Sequence, residues 1–122
     1  MRIKIHTKNI ELTKAIEDYV NDKIGSLKKM LNLDSPILAE VEVGMDSRHH
    51  QKGDVFRAEV NLTINGKLFR AECVKDDLYA AIDEVRDELL RELRKNKTRK
   101  ENFFKRGAQK LKNLLRREPK NL

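Results

Sequence analysis

The basic residues that begin at Arg91 are the part of this sequence whose types and spacing can do chemistry. Arg91, Arg94, Lys95, Lys97, Arg99 and Lys100 follow one another within ten positions. On a helix, residues three and four apart share a face, so Arg91, Arg94 or Lys95, and Arg99 or Lys100 line up as a row of cations. A row of held cations neutralises successive phosphates of a nucleic-acid backbone and releases their counterions. That chemistry is binding, with no bond made or broken. Lys23, Lys28 and Lys29, on an earlier helical stretch, and Arg86, just before the row, complete the set of candidate RNA-binding residues.

The charge distribution supports a polyanionic partner. The chain has 122 residues and a formal net charge of +7. Residues 1–90 hold 14 Lys and Arg against 17 Asp and Glu, whereas residues 91–122 hold 13 against 3. A mildly acidic body with one strongly basic end suits nucleic acid first and an anionic membrane surface second. The plain alternative is a solvated, charged helix end. No apolar run approaches a membrane span, and the opening Met-Arg-Ile-Lys-Ile-His lacks a secretory apolar stretch. A cytoplasmic protein without a membrane partner is the expectation.

Catalytic constellations are missing. His49 and His50 are adjacent, so their side chains diverge, and no ligand set at metal spacing surrounds them. They read as part of a polar loop. Cys73 is the single cysteine, which excludes an intramolecular disulfide, and its apolar neighbours in alternation mark it as a small core residue. No phosphate-binding glycine loop, nucleophile elbow or carboxylate pair is present. Asp76 and Asp77 are explained by helix capping. No enzyme activity, metal or cofactor is expected.

The elements that must position the cations follow from periodicity. Ile3 and Ile5 alternate with polar residues as a short strand. Thr13 caps a helix with Ala15, Ile16, Tyr19, Val20, Ile24, Leu27 and Leu31 on its apolar side, and Asp18, Asp22, Lys28 and Lys29 opposite. Asn32 to Pro36 ends it. Alternation then predicts strands over 39–45, 56–64 and 67–74. Asn65-Gly66 forms the hairpin between the last two, because both turn residues must take positive φ. Asp76 and Asp77 start a second helix with Leu78, Ala81, Ile82, Val85, Leu89 and Leu93 on its apolar side. The order β-α-β-β-β-α, with one apolar face per element, predicts an α+β two-layer sandwich. Its four-stranded sheet carries both helices on one face, similar to double-stranded RNA-binding domains.

Two parts are expected: a folded domain over 1–100 and a basic tail over 101–122. In the tail Phe104, Ala108, Leu111 and Leu115 fall at helical spacing among Lys105, Arg106, Lys110, Lys112, Arg116 and Arg117, with Gly107 weakening a helix. A partly helical or disordered segment is the expectation. Aromatics are 5% of the chain, so a stacking platform for single strands is disfavoured. Tyr79 is the one exception, and it reads first as a residue at the core's edge.

The run Asp76-Asp77-Leu78-Tyr79-Ala80-Ala81-Ile82-Asp83, followed by Leu89, Arg91, Leu93 and Lys95, resembles the signature of ribosome hibernation-promoting factors and the ribosome-associated inhibitor A. Ile5 to Asn9, Leu12-Thr13, Ala15-Ile16, Tyr19-Val20, Lys23 and the stretch Phe56 to Ala71 extend the resemblance over about residues 1–97. The resemblance implies a monomer that binds the small (30S) ribosomal subunit and its 16S rRNA near the decoding centre. There it would block messenger and transfer RNA at the A and P sites in stress or stationary phase. It places Lys23, Lys29, Arg91 and Lys95 at basic positions of the family, with Tyr79 and Asp77 in the motif. Long members add a ribosome-pairing domain, and about 25 residues after the second helix are too few for one, so a short form is expected. Two residues depart from the pattern: Glu88 stands where Lys is common, and Leu90 where many have a polar residue. Two other functions fit the residues alone. One is a generic structured-RNA binder; the other is a regulatory module acting through the Phe104–Leu115 face.

Overall fold

The computed structural model describes residues 1–31, 34–46, 53 and 55–117, without the side chains of 98–104 and 116–117. His49 and His50 lie outside the described residues. The elements are β1 (Arg2–Lys8), α1 (Lys14–Met30), β2 (Ile37–Asp46), β3 (Val55–Ile64), β4 (Lys67–Lys75) and α2 (Leu78–Arg117). Their order is the expected β-α-β-β-β-α. The chain forms two compact units, Met1–Glu92 and Leu93–Leu122, and α2 begins in the first and ends in the second.

The first unit holds a sheet of order β1-β2-β3-β4. β1 pairs with β2 in parallel, which requires the crossover that α1 supplies; the other pairs are antiparallel. Register places Ile5 opposite Val41, Val41 opposite Val60, and Val60 opposite Ala71. These residues share one face. A one-residue slip would turn the whole apolar set outward, so the pairing is strongly specified. Asn65 and Gly66 both take positive φ, 51° and 77°, as the two-residue hairpin turn demands. Gly44 is fixed by close approach, since a Cβ there would stand 2.5 Å from the carbonyl oxygen of Lys8.

The buried face is Ile37, Ala39, Val41, Val43, Ala58, Val60, Leu62, Ala71 and Cys73. Helix α1 covers it with Ile16, Val20, Ile24 and Leu27, and α2 with Leu78, Ala81, Ile82, Val85 and Leu89. Fully buried side chains such as Ile24 and Leu89 each contribute about 1.5–3 kcal/mol. Helix α1 begins where expected: Thr13 accepts a hydrogen bond from the Ile16 amide at 3.2 Å. It ends at Met30, with Leu31 as the residue after the last turn.

Two details differ from the sequence expectation. Ala15 is exposed, whereas its neighbour Ile16 is buried. Leu90 is buried and joins Leu89, so α2 carries a wider apolar stripe than the repeat of single leucines suggested. Within the second unit α2 is helical through Gly107 to Arg117, and the described side chains from Lys105 to Leu115 are exposed.

Candidate nucleic-acid interface

The candidate cations of the first unit lie on the two helices. On α1, Lys28 and Lys29 are in the last turn and exposed, with no ion-pair partner among the described residues. Cations there also complement the negative end of the helix dipole. Lys23, further back, is half-buried and held. Its ammonium is 3.8 Å from a carboxylate oxygen of Asp83 on α2, and 5.4 Å from the centre of the Tyr19 ring. The Tyr19 hydroxyl donates a 2.7 Å hydrogen bond to the same Asp83 oxygen. Tyr79 meets Tyr19 edge to face, with ring centres 4.8 Å apart. The bond to Asp83, with burial adding to it, pushes the Tyr19 phenol up to about 12.

Helix α2 starts at Leu78 because Asp77 accepts a 3.0 Å bond from the Ala80 amide. One turn beyond Asp83, Arg86 is largely covered and paired with Asp87 at 2.7 Å. Its charge is locally neutralised. Arg91 is well exposed and reaches Glu84 only at 4.0 Å, a surface pair worth about 0–1 kcal/mol. Glu88 interacts with Cys73, so its carboxylate faces the sheet side of the helix. Burial first, and then Glu88, pushes the Cys73 thiol up to about 11; it is a poor nucleophile.

In the second unit Arg94, Lys95 and Lys97 are exposed on helical backbone. Arg99 and Lys100 are on the same helix, their side chains outside the described set. The structure therefore brings Lys23 against α2 within the first unit and puts Lys28 and Lys29 at the end of α1. It leaves Arg86 occupied. Tyr19 and Asp83 are the site residues that sequence reasoning did not single out. The available signal was a tyrosine on the edge of an apolar stripe, whose hydroxyl must find a partner when half-buried.

Reactive chemistry is scarce. Among the described residues no group of three or more His, Cys, Asp or Glu could hold a metal ion. A depression on the sheet's outer face is lined by Lys8, Asn9, Glu42, Asp46, Arg57 and Glu72. Arg57 there bonds Glu72 at 2.6 Å, Glu42 at 3.0 Å and also Glu59. Its charge is matched by these carboxylates. No helix among the described residues is long and apolar enough to cross a membrane.

The fold and site define a small α+β domain with cations on both of its helices. The family model described as sigma 54 modulation protein / S30EA ribosomal protein matches residues 3–101, and the chain belongs to that family. It is 37% identical over 99 residues to the ribosome hibernation promotion factor of Staphylococcus aureus strain COL, covering 81% of this chain and 50% of that one. It is 36% identical over 99 residues to the factor of the same name from Lactococcus lactis subsp. cremoris strain MG1363, covering 81% and 51%. The chain thus spans about half the length of the curated relatives it matches. The crystal structure of the Thermus thermophilus Protein Y N-terminal domain is similar, with a TM-score of 0.67, 33% identity, and coverage of 78% of this chain and 98% of that one. A ribosomal subunit interface protein from Coxiella burnetii has the same fold, with a TM-score of 0.67, 15% identity, and coverage of 80% and 99%.

Proposed function

We propose that this chain is a ribosome hibernation factor that binds the small (30S) ribosomal subunit through 16S rRNA near the decoding centre. It occupies the channel of messenger and transfer RNA at the A and P sites and holds the ribosome inactive in stress or stationary phase. It acts in the cytoplasm by occlusion, without a chemical step or cofactor. The observation that carries this reading is the placement of cations on two packed helices within a region matched to the S30EA family. Lys23, Lys28 and Lys29 are on α1, and Arg91, Arg94, Lys95 and Lys97 on α2. Arg99 and Lys100 continue the series in sequence. Helices hold such cations at fixed spacing, and folded RNA is recognised largely by shape and backbone.

The test is a density-gradient profile of ribosomes with and without the protein. Co-sedimentation with small subunits, lost as salt rises, is the expected result. Arg91→Ala combined with Lys95→Ala is expected to weaken it about 10- to 30-fold, at roughly one phosphate contact each. Excess transfer RNA should displace the protein. A wild-type protein that stays at the top of the gradient in low salt refutes the reading. Equal affinity for an arbitrary RNA duplex would point to a generic RNA binder.

A further inference from the structure

We propose that Asp83 is a specificity-determining residue of the RNA-binding face: with Tyr19 it holds the Lys23 ammonium at one place between the helices, so that this cation serves a phosphate of fixed position. The inference rests on the occlusion reading and deepens it. A carboxylate among cations that meet a polyanion is at first sight a defect. Its surroundings give it a use.

The lysines of α1 fall into two kinds. Lys28 and Lys29 are exposed and have no ion-pair partner among the described residues. A lysine stem carries about 2 kcal/mol of rotamer entropy, so such a side chain can follow a phosphate over a wide range of positions. Lys23 is different. Its ammonium meets an Asp83 oxygen at 3.8 Å and the Tyr19 ring at 5.4 Å. That oxygen is itself fixed by the Tyr19 hydroxyl at 2.7 Å, and the Tyr19 ring is fixed by Tyr79 at 4.8 Å. Each member of the chain is held by the next, and all four residues lie in the first unit.

Two effects follow, and both raise discrimination. A positioned lysine has less freedom to lose when the matching phosphate arrives, which favours one geometry over others. The Asp83 charge meanwhile repels backbone phosphates that come within about a Debye length, ~8 Å at physiological salt, without making the matched contact. Specificity is a difference of affinities, and a repulsive element can supply part of it. Arg86 and Asp87 do not replace this device, since they neutralise each other at 2.7 Å on α2.

The experiment measures affinity of the full chain for isolated small ribosomal subunits and for an arbitrary RNA duplex of roughly 16 base pairs. Wild type, Asp83→Asn and Tyr19→Phe are compared at one salt concentration, with thermal melting of each. Asp83→Asn is expected to tighten duplex binding about 3-fold, as loss of one exposed repulsion should. It should fail to tighten subunit binding, so the ratio of the two affinities falls at least about 3-fold. Tyr19→Phe keeps charge and shape and is expected to loosen subunit binding about 3-fold while duplex binding stays put. If Asp83→Asn tightens both by the same factor, Asp83 is merely a repelling charge and the inference is overturned. Unchanged subunit affinity in Tyr19→Phe overturns it as well, and that variant decides alone should Asp83→Asn melt below the assay temperature. A wild type with no preference for subunits over duplex is a separate result. It sinks the occlusion reading and this inference with it.

Discussion

The two faces of the first unit carry the same kinds of charge and use them in opposite ways. On the outer face of the sheet, Arg57 is surrounded by Glu42, Glu59 and Glu72, and Arg70 adds bonds to Glu59 at 3.2 Å and Glu72 at 3.4 Å. The acids outnumber the bases, and every member of this network is paired. On the helix face Lys28 and Lys29 stand without an ion-pair partner among the described residues, and Arg91 has one at 4.0 Å. Arg57 and Arg70 are spent on these acids, whereas Lys28 and Lys29 keep their charge available to a polyanion. Net charge therefore says less about function than whether each cation is already neutralised.

The largest effect is expected from breaking the helix side of that contrast. Lys28→Ala, Lys29→Ala and Arg91→Ala together should weaken binding to small subunits about 100-fold at low salt, if each cation serves about one phosphate. The slope of log affinity against log salt should become shallower by about 2 to 3. Filter binding over a salt series measures both. The three residues are exposed, so melting should be nearly unchanged.

Much of this face was legible in the sequence, and the limits have physical causes. Alternation in β2 and β3, Asn65-Gly66 and the caps at Thr13 and Asp77 are local signals, and the structure has each of them. Leu90 was missed as a buried residue because a repeat of single leucines does not set the width of the stripe. The cations on α1 and α2 could be named from spacing alone. That Arg86 is paired with Asp87, or that Lys23 is held beside Asp83, could not be read from it. Asp83 is 60 residues from Lys23 in the chain and becomes its partner only when α1 and α2 pack.

A smaller effect, on stability, should come from the sheet side. Arg57→Met keeps the aliphatic stem and leaves three carboxylates without their shared cation. Glu42 and Glu72 are more than a third exposed, so solvent screens much of the repulsion. A loss of about 1–2 kcal/mol is expected, lowering the melting temperature by roughly 5–10 °C for a domain of this size. Binding to small subunits should stay within about 2-fold of wild type, since surface changes away from the contact act weakly. A large loss of binding with an intact fold would move the interface to the sheet and reverse the comparison.

The smallest effect separates the faces by pH. The Arg57 hydrogen bond holds the Glu72 carboxyl below its ordinary value. Burial alone would raise Glu59, but bonds from Asn61 and Arg70 and the charge of Arg57 outweigh it and leave it lowered. Carboxyls lowered by folding contribute stability that is full above their unfolded value and lost as pH falls through the folded one. The sheet face should therefore weaken below about pH 4.5. The helix side behaves in the opposite sense. Tyr19 rises from 10.0 to about 12 and Cys73 from 9.0 to about 11. Groups raised by folding contribute stability that is full below the unfolded value and lost as pH rises through the folded one. Stability should then decline between about pH 9 and 12. Denaturant midpoints across pH measure both limbs. Arg57→Met should flatten the acid limb and spare the alkaline one. Tyr19→Phe should shrink the alkaline limb to the part that Cys73 supplies, and an alkaline limb unchanged in that variant would show that the Tyr19–Asp83 bond contributes nothing to holding α1 against α2.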